Sequence, residues 1–235
     1  DLKSRPRLFE LLKDMAQIKG IRWIRLLYAH PAHVTEDLLK AIADTTKICP
    51  YIDLPIQHID DDILKSMNRR VTAAQIRAVI TQARNIIPNL ALRTSLIVGF
   101  PGETQKRFAK LLDFVRETKF DHLGVFTYSR EESTTAAKIK SQIPKHEKKR
   151  RRDQIMTEQA FISHAINKSL IGTMQEVIIE EKSDRPDFDL IGRGRRQAPD
   201  IDGITYLKSA DAKIGSIVKC KIVCADDYDL FGETI

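Results

Sequence analysis

Four apolar, β-rich stretches begin near residues 21, 51, 91 and 122, and sequence with helical spacing separates each from the next. Strands that alternate with helices form right-handed βα units on a parallel sheet, because a hairpin cannot join parallel neighbours. The strands are expected at residues 21–28, 51–57, 91–99 and 122–128. Helix starts are marked by Thr35, by Asp60, by the capping box Thr72 to Gln75, and by Thr104. Ligands on such sheets sit at the strands' C-terminal ends. Here those ends read YAHP (28–31), PIQH (55–58), GFPGE (99–103) and TYSREE (127–132), all polar or glycine-bearing.

The third end carries the most information. In SLIVGFPGET (95–104) an apolar strand runs into two glycines, a proline and a carboxylate before a helix begins. Gly99 and Gly102 let the backbone approach a ligand without Cβ interference, Pro101 fixes the turn, and Thr104 caps the next helix. A purely structural βα turn has the same punctuation, so the neighbouring segments decide between the two.

The chain opens with helical sequence, and four strands are too few to close a barrel, so the first region reads as the later part of a larger domain spanning residues 1–144. A basic run, KHEKKRRR (145–152), then leads into a long helix, and residues 145–172 are expected to form a basic linker helix. A solvated helix start and an RNA-contacting patch are both readings of that run. From residue 173 to 235 the texture changes to short β-rich segments at 175–181, 188–193, 204–207, 218–224 and 230–235, separated by Asp, Gly and Pro. These suggest a small antiparallel barrel of about five strands.

Composition narrows the chemistry. The 235 residues are 42% hydrophobic and 30% charged, as in ordinary globular proteins. No uncharged apolar run approaches the roughly 18 residues of a membrane span, and residues 1–6 lack a signal-peptide core, so a cytoplasmic location without membrane attachment is expected. The three cysteines form no even-numbered framework. Cys220 and Cys224 stand four apart on an expected strand, roughly 13 Å from each other on one face, and read as core thiols; no metal ligands are assigned. His30 and His58, at strand ends, read as hydrogen-bonding side chains.

The segments LLYAHP (26–31), IDLPIQH (52–58), LKSMNR (64–69), LRTSLIVGFPGET (92–104) and GVFTYSREE (124–132) together resemble the radical S-adenosylmethionine (SAM) methylthiotransferases. Within that family the likeness is to the type that modifies an aspartate of ribosomal protein S twelve. IGR (191–193), QAPDIDG (197–203) and DYDL (227–230) resemble its C-terminal TRAM barrel. The resemblance implies the C-terminal part of a partial TIM-like radical SAM barrel followed by TRAM. It implies an enzyme that inserts sulfur at an aspartate β-carbon and methylates it, with S-adenosylmethionine and two 4Fe-4S clusters in the complete protein. External electron and sulfur donors, and ribosomal protein S twelve or the small ribosomal subunit, are the implied partners.

The family's Cys-x-x-x-Cys-x-x-Cys loop is missing from this sequence, so the chain is expected to bind no cluster and to be inactive by itself. Further departures are Arg70 after MNR, Ser133 to Thr135 where Gly-Thr-Pro is usual, and Gly194 where threonine is common. By resemblance, Gln57 and Arg93 contact the methionine or ribose portion of the cofactor, Gly99 and Gly102 allow backbone approach, and Glu103 orients the loop. An internal salt bridge for Arg93 and a helix-dipole role for Glu103 are the structural alternatives. A tRNA-adenosine methylthiotransferase and a non-catalytic ribosome- or RNA-binding module are the functional ones. Charge separates protein from tRNA substrates: residues 173–235 hold nine Lys and Arg against thirteen Asp and Glu, and an acidic barrel suits a basic protein rather than a phosphate backbone. Arg193, Asp200, Asp202, Asp227 and Asp229 are the expected substrate contacts.

Overall fold

The computed structural model describes residues 7–209 and 212–235; the leading residues read for a signal sequence lie outside that range. The chain divides into two compact units, residues 1–159 and 160–235.

In the first unit, α1 (Leu8–Gln17), β1 (Ile24–Leu26), α2 (Glu36–Asp44), β2 (Ile48–Asp53), α3 (Asp61–Ser66), α4 (Ala73–Ile86), β3 (Ala91–Val98), α5 (Gln105–Thr118) and β4 (His122–Thr127) follow in order. The strands form a parallel sheet in the order β1-β2-β3-β4. Short-range chemistry sets the helix starts. Thr35, Asp60 and Thr104 each accept a backbone N–H of the first turn, and Thr72 and Gln75 close a reciprocal capping box.

Side chains alternate across a strand. On one face Ile48, Ile52, Leu92, Leu96 and Val98 are buried beside Leu39, Ile76, Phe108 and Leu111 of the helices; each such side chain contributes about 1.5–3 kcal/mol through removal from water. The other face carries Arg25, Tyr51, Asp53, Arg93, Ser95 and His122, so polar groups are gathered on the side away from the helices.

Two strands are shorter than the apolar pattern suggests. Pro55 has no N–H to donate, and β2 stops at Asp53, leaving Gln57 as an isolated bridge to Leu96. β1 ends early because the N–H of Tyr28 turns to the Asp53 carboxylate (3.1 Å) instead of the ladder.

The helix α6 (Lys145–Ser169) contains the division between the units. In the second unit, β5 (Met174–Lys182), β6 (Leu190–Gly194), β7 (Thr205–Lys208), β8 (Ile217–Ala225) and β9 (Leu230–Thr234) close a barrel in the order β5-β6-β7-β9-β8. The barrel is not wholly antiparallel: β9 inserts between β7 and β8 and runs parallel to β7. Val177, Ile179, Leu190, Leu207, Cys220, Ile222 and Leu230 fill its interior. Cys224 does not share that interior. A bulge between Ile222 and Cys224 shifts the alternation, so Cys220 is buried while Cys224 is exposed.

Candidate active site: a strand-end rim held by buried charge

Three successive strand ends of the first unit leave the sheet through left-handed residues, Tyr28 (φ 58°), Gln57 (φ 69°) and Gly99 (φ 73°). For tyrosine and glutamine that conformation is unfavourable, and it persists where surrounding bonds over-determine it. Gln57 is fixed on both sides: its N–H donates to Ser95 O (2.9 Å) and its carbonyl accepts from Ile97 N–H (2.8 Å). At Gly99 the demand is steric as well, since a Cβ would lie 2.3 Å from Cγ of Lys148. The Lys148 ammonium continues past the glycine to donate to Tyr128 O (2.8 Å), 4.8 Å from the centre of the Tyr128 ring. Burial, with Lys145 nearby, holds the Lys148 pKa below its usual value.

Glu103 sits at the centre of the loop with its side chain fully buried. It accepts from the N–H of Gly99 in a short bond and from Arg151 Nη1 (2.9 Å), which also donates to the Glu103 carbonyl (2.7 Å). His58, fully buried too, completes the chain. Its Nδ1 accepts from Asp60 N–H (3.0 Å), which leaves the proton on Nε2, 3.4 Å from Glu103 Oε1. Arg151 Nε donates to Glu147 (2.7 Å). Glu103 therefore ties the loop to the helix that follows the sheet. Gly102 (φ 87°) donates its N–H to Ser141 O (3.0 Å), so the same loop is pinned from a second direction.

Arg93 is buried and donates to Asp53 Oδ1 (2.9 Å) and to Ser95 Oγ (3.2 Å). Asp53 uses its other oxygen on Tyr28 N–H. This is the internal salt bridge beneath the rim that the sequence left open. Gln57, in contrast, lines a cleft of about 510 Å³ with Arg69, Ile97, Phe100 and Tyr128.

In the barrel unit, Asp202 accepts from Ala198 N–H (2.8 Å) and Asp229 from Ile204 N–H (2.9 Å), so both carboxylates shape turns. Asp227 pairs with His164 (3.2 Å), and Arg193 donates to Glu180 (2.6 Å). Asp200 is exposed in a left-handed turn. A Cβ on Gly203 would lie 1.9 Å from Tyr228 O, so the loops 197–203 and 226–229 are in contact, and four of the five residues meet there. Arg193 stands apart with Glu180.

Asp53, Lys148 and Arg151 were missed as site residues. An acid inside the apolar run of β2 was a legible signal for the first. The spacing of Lys148 and Arg151, one helical turn apart, was a legible signal for the others.

Comparison with known proteins follows the same two-part division. Residues 3–115 match the radical SAM superfamily and residues 171–235 match the TRAM domain. A ribosomal protein uS12 methylthiotransferase RimO from Syntrophus aciditrophicus is 54% identical over the whole chain, covering 52% of that protein. The chain is thus similar over its whole length to RimO proteins, and its N-terminal part matches the radical SAM superfamily. A RimO from Geobacter sulfurreducens is 50% identical, again over the whole chain and 53% of the relative. The chain thus spans about half the length of the curated RimO relatives it matches. Among solved structures, coproporphyrinogen III oxidase (HemN) from Escherichia coli, a radical SAM enzyme, aligns over 79% of this chain and 47% of its own with a TM-score of 0.50 at 20% identity. That likeness shows the fold.

Similarity to radical SAM proteins implies two groups for these residues, a 4Fe-4S cluster and S-adenosylmethionine. A cluster does not fit them: among the described residues no three His, Cys, Asp or Glu side chains converge, and Cys49 and Cys220 are buried. S-adenosylmethionine does fit the rim, where an open cleft is lined by the half-buried Gln57 and by Tyr128, whose buried hydroxyl has no partner among the described residues. Among the described residues no helix is long and apolar enough to cross a membrane.

Proposed function

We propose that this chain supplies the cofactor-holding rim and the TRAM barrel of a transferase that inserts sulfur at the β-carbon of an aspartate in ribosomal protein S twelve and methylates it. The observation that carries the reading is the rim. A glycine loop closed by Glu103 and Arg151 lies at the C-terminal edge of a parallel sheet, in a chain 54% identical to a RimO.

Bound S-adenosylmethionine would supply the radical that opens an unactivated C–H bond. Gln57 offers its side-chain amide to the cofactor's polar portion, and Gly99 and Gly102 let the backbone approach. Glu103 contributes by fixing the Gly99 N–H, leaving the loop little freedom to lose on binding. Arg93 contributes through Asp53, which it holds against Tyr28. The three thiols are too few for a four-iron cluster, so the cluster ligands are assigned to the length of the relatives that this chain does not span, and the chain alone is expected to be inactive. Residues 1–144, 145–172 and 173–235 are assigned to βα units, linking helix and TRAM respectively.

The two touching acidic loops of the barrel suit a basic protein. Residues 173–235 carry nine Lys and Arg against thirteen Asp and Glu, and negative charge steers a basic partner and repels tRNA. Asp200, whose carboxylate shapes no turn, is the foremost contact; Asp202, Asp227, Asp229 and Arg193 follow. The test has two arms. The chain extended to the relatives' full length, reconstituted anaerobically with iron and sulfide and given a reductant, should add one methylthio group to an aspartate of the ribosomal protein, read by mass spectrometry. The present chain should bind that protein more tightly than tRNA at equal ionic strength. The reverse order would favour the tRNA-modifying reading.

A further inference from the structure

The cleft beside Gln57 contains a cation with no counter-charge among the described residues. Arg69 follows α3 in a segment locked by its own backbone: Met67 N–H donates to Ile63 O (2.9 Å), Asn68 N–H to Lys65 O (3.0 Å) and Arg69 N–H to Leu64 O (2.8 Å). The side chain is half-buried in the cleft wall. Among the described residues no carboxylate pairs with its guanidinium, and burial alone lowers its pKa. That contrasts with its neighbours, since Arg93 has Asp53, Arg107 has Asp60 and Arg151 has Glu103 and Glu147. Withdrawing a guanidinium from water without a counter-charge is costly, and proteins rarely do it unless the counter-charge arrives with a ligand.

Tyr128 lines the same cleft from the end of β4. Its ring stands edge-on to Phe100 (5.2 Å between centroids), and its buried hydroxyl has no hydrogen-bond partner among the described residues. A planar fork of donors and a phenolic donor, set among apolar Ile97 and Phe100, match a carboxylate on a short apolar stem.

We propose that Arg69 is the carboxylate receptor of this cleft, with Tyr128 donating a second hydrogen bond to the same ligand. The inference rests on the cleft's reading as a cofactor and substrate site. It assigns the charge-recognising role there to Arg69, since Arg93 is engaged by Asp53. Two sources offer the chemistry: the aminoacyl end of S-adenosylmethionine, and the side chain of the target aspartate, whose Cβ stands one bond from the carboxylate that Arg69 would grip.

The experiment uses the 235-residue chain with 15N-labelled arginine. The Arg69 Nε–Hε resonance is identified by its disappearance in Arg69→Gln, and the remaining resonances report that the variant is folded. Acetate should move the Arg69 resonance saturably while acetamide leaves it in place, and Tyr128→Phe should weaken acetate several-fold. An unmoved resonance, or an equal response to acetamide, overturns the receptor whatever else the chain binds.

Calorimetry then separates the sources. If the cofactor is the ligand, Arg69→Gln weakens S-adenosylmethionine at least tenfold and leaves its decarboxylated analogue unchanged. If the substrate is the ligand, the same variant weakens a peptide carrying the target aspartate and not its asparagine counterpart. In the chain extended to the relatives' full length and reconstituted with iron and sulfide, acetate binding at Arg69 with no affinity for cofactor or peptide would retain the receptor and defeat the methylthiotransferase reading. Cofactor and peptide affinities that both ignore Arg69→Gln would defeat the receptor alone.

Discussion

Replacing Arg151 with methionine isolates the contribution of the buried charge beneath the rim. The variant keeps an unbranched side chain on α6 but removes the two bonds to Glu103 and the one to Glu147. The Glu103 carboxylate, with 0% side-chain exposure, then retains the Gly99 N–H and the longer contact to His58. Stripping one partner from a buried ion pair costs about 3–5 kcal/mol. The two surviving donors place this case near the lower end, at about 3 kcal/mol. For a domain of this size each kcal/mol moves the midpoint by about 2–4 °C, so the first unit should melt about 6–12 °C earlier. Circular dichroism melts, with urea titration to obtain the free energy, measure it. The double variant Glu103→Gln, Arg151→Met leaves no buried charge at these two positions and an amide oxygen for Gly99, and should recover at least half of the loss. A single variant within about 1 kcal/mol of the parent, or a double variant no better than the single one, would refute the account.

Other expectations are smaller. Gly99→Ala should cost about 1–2 kcal/mol for its left-handed backbone and roughly 1 more for displacing Lys148 from Tyr128 O; in a Lys148→Ala background the second part should vanish in the same urea assay. Glu147 is held at a pKa of about 2 by hydrogen bonding from Arg150, against burial and with further help from Arg151. Because that folded-state value is depressed, its stabilisation is complete above the unfolded value near 4.5 and is lost as pH falls towards 2. Glu147→Gln should therefore flatten the acid limb of the stability curve over that window. Native thiol titration should find Cys224 fast and Cys49 and Cys220 slow until unfolding, with the Cys220 thiol pushed up to about 11 by burial.

What could be read from the sequence was local. Thr35, Asp60, Thr72 with Gln75, and Thr104 act within one turn of themselves, so their caps follow from spacing alone. The parallel order of four strands was equally legible, because βα alternation leaves few other topologies. The site was legible as a place more than as a set of partners. That Arg93 would meet Asp53, forty positions away, depends on β2 and β3 aligning those two residues in register. The basic run offered solvent or RNA as its destination, whereas Lys148 and Arg151 face inward and their neighbours Lys149 and Arg150 remain exposed. The Cys224 reversal arose from one inserted residue in β8, which strict period-two counting does not register.

The bond between Arg151 and Glu103 joins residues 48 positions apart, and this bears on how such proteins are recombined. A chimaera joined at residue 144, where the basic run begins, could inherit Glu103 from one parent and its cation from another. The rim would then depend on whether two lineages had settled on the same geometry for a buried charge. A junction beyond residue 159 keeps donor and acceptor in one parent. The smallest heritable piece that preserves the loop is therefore the sheet together with the first half of α6.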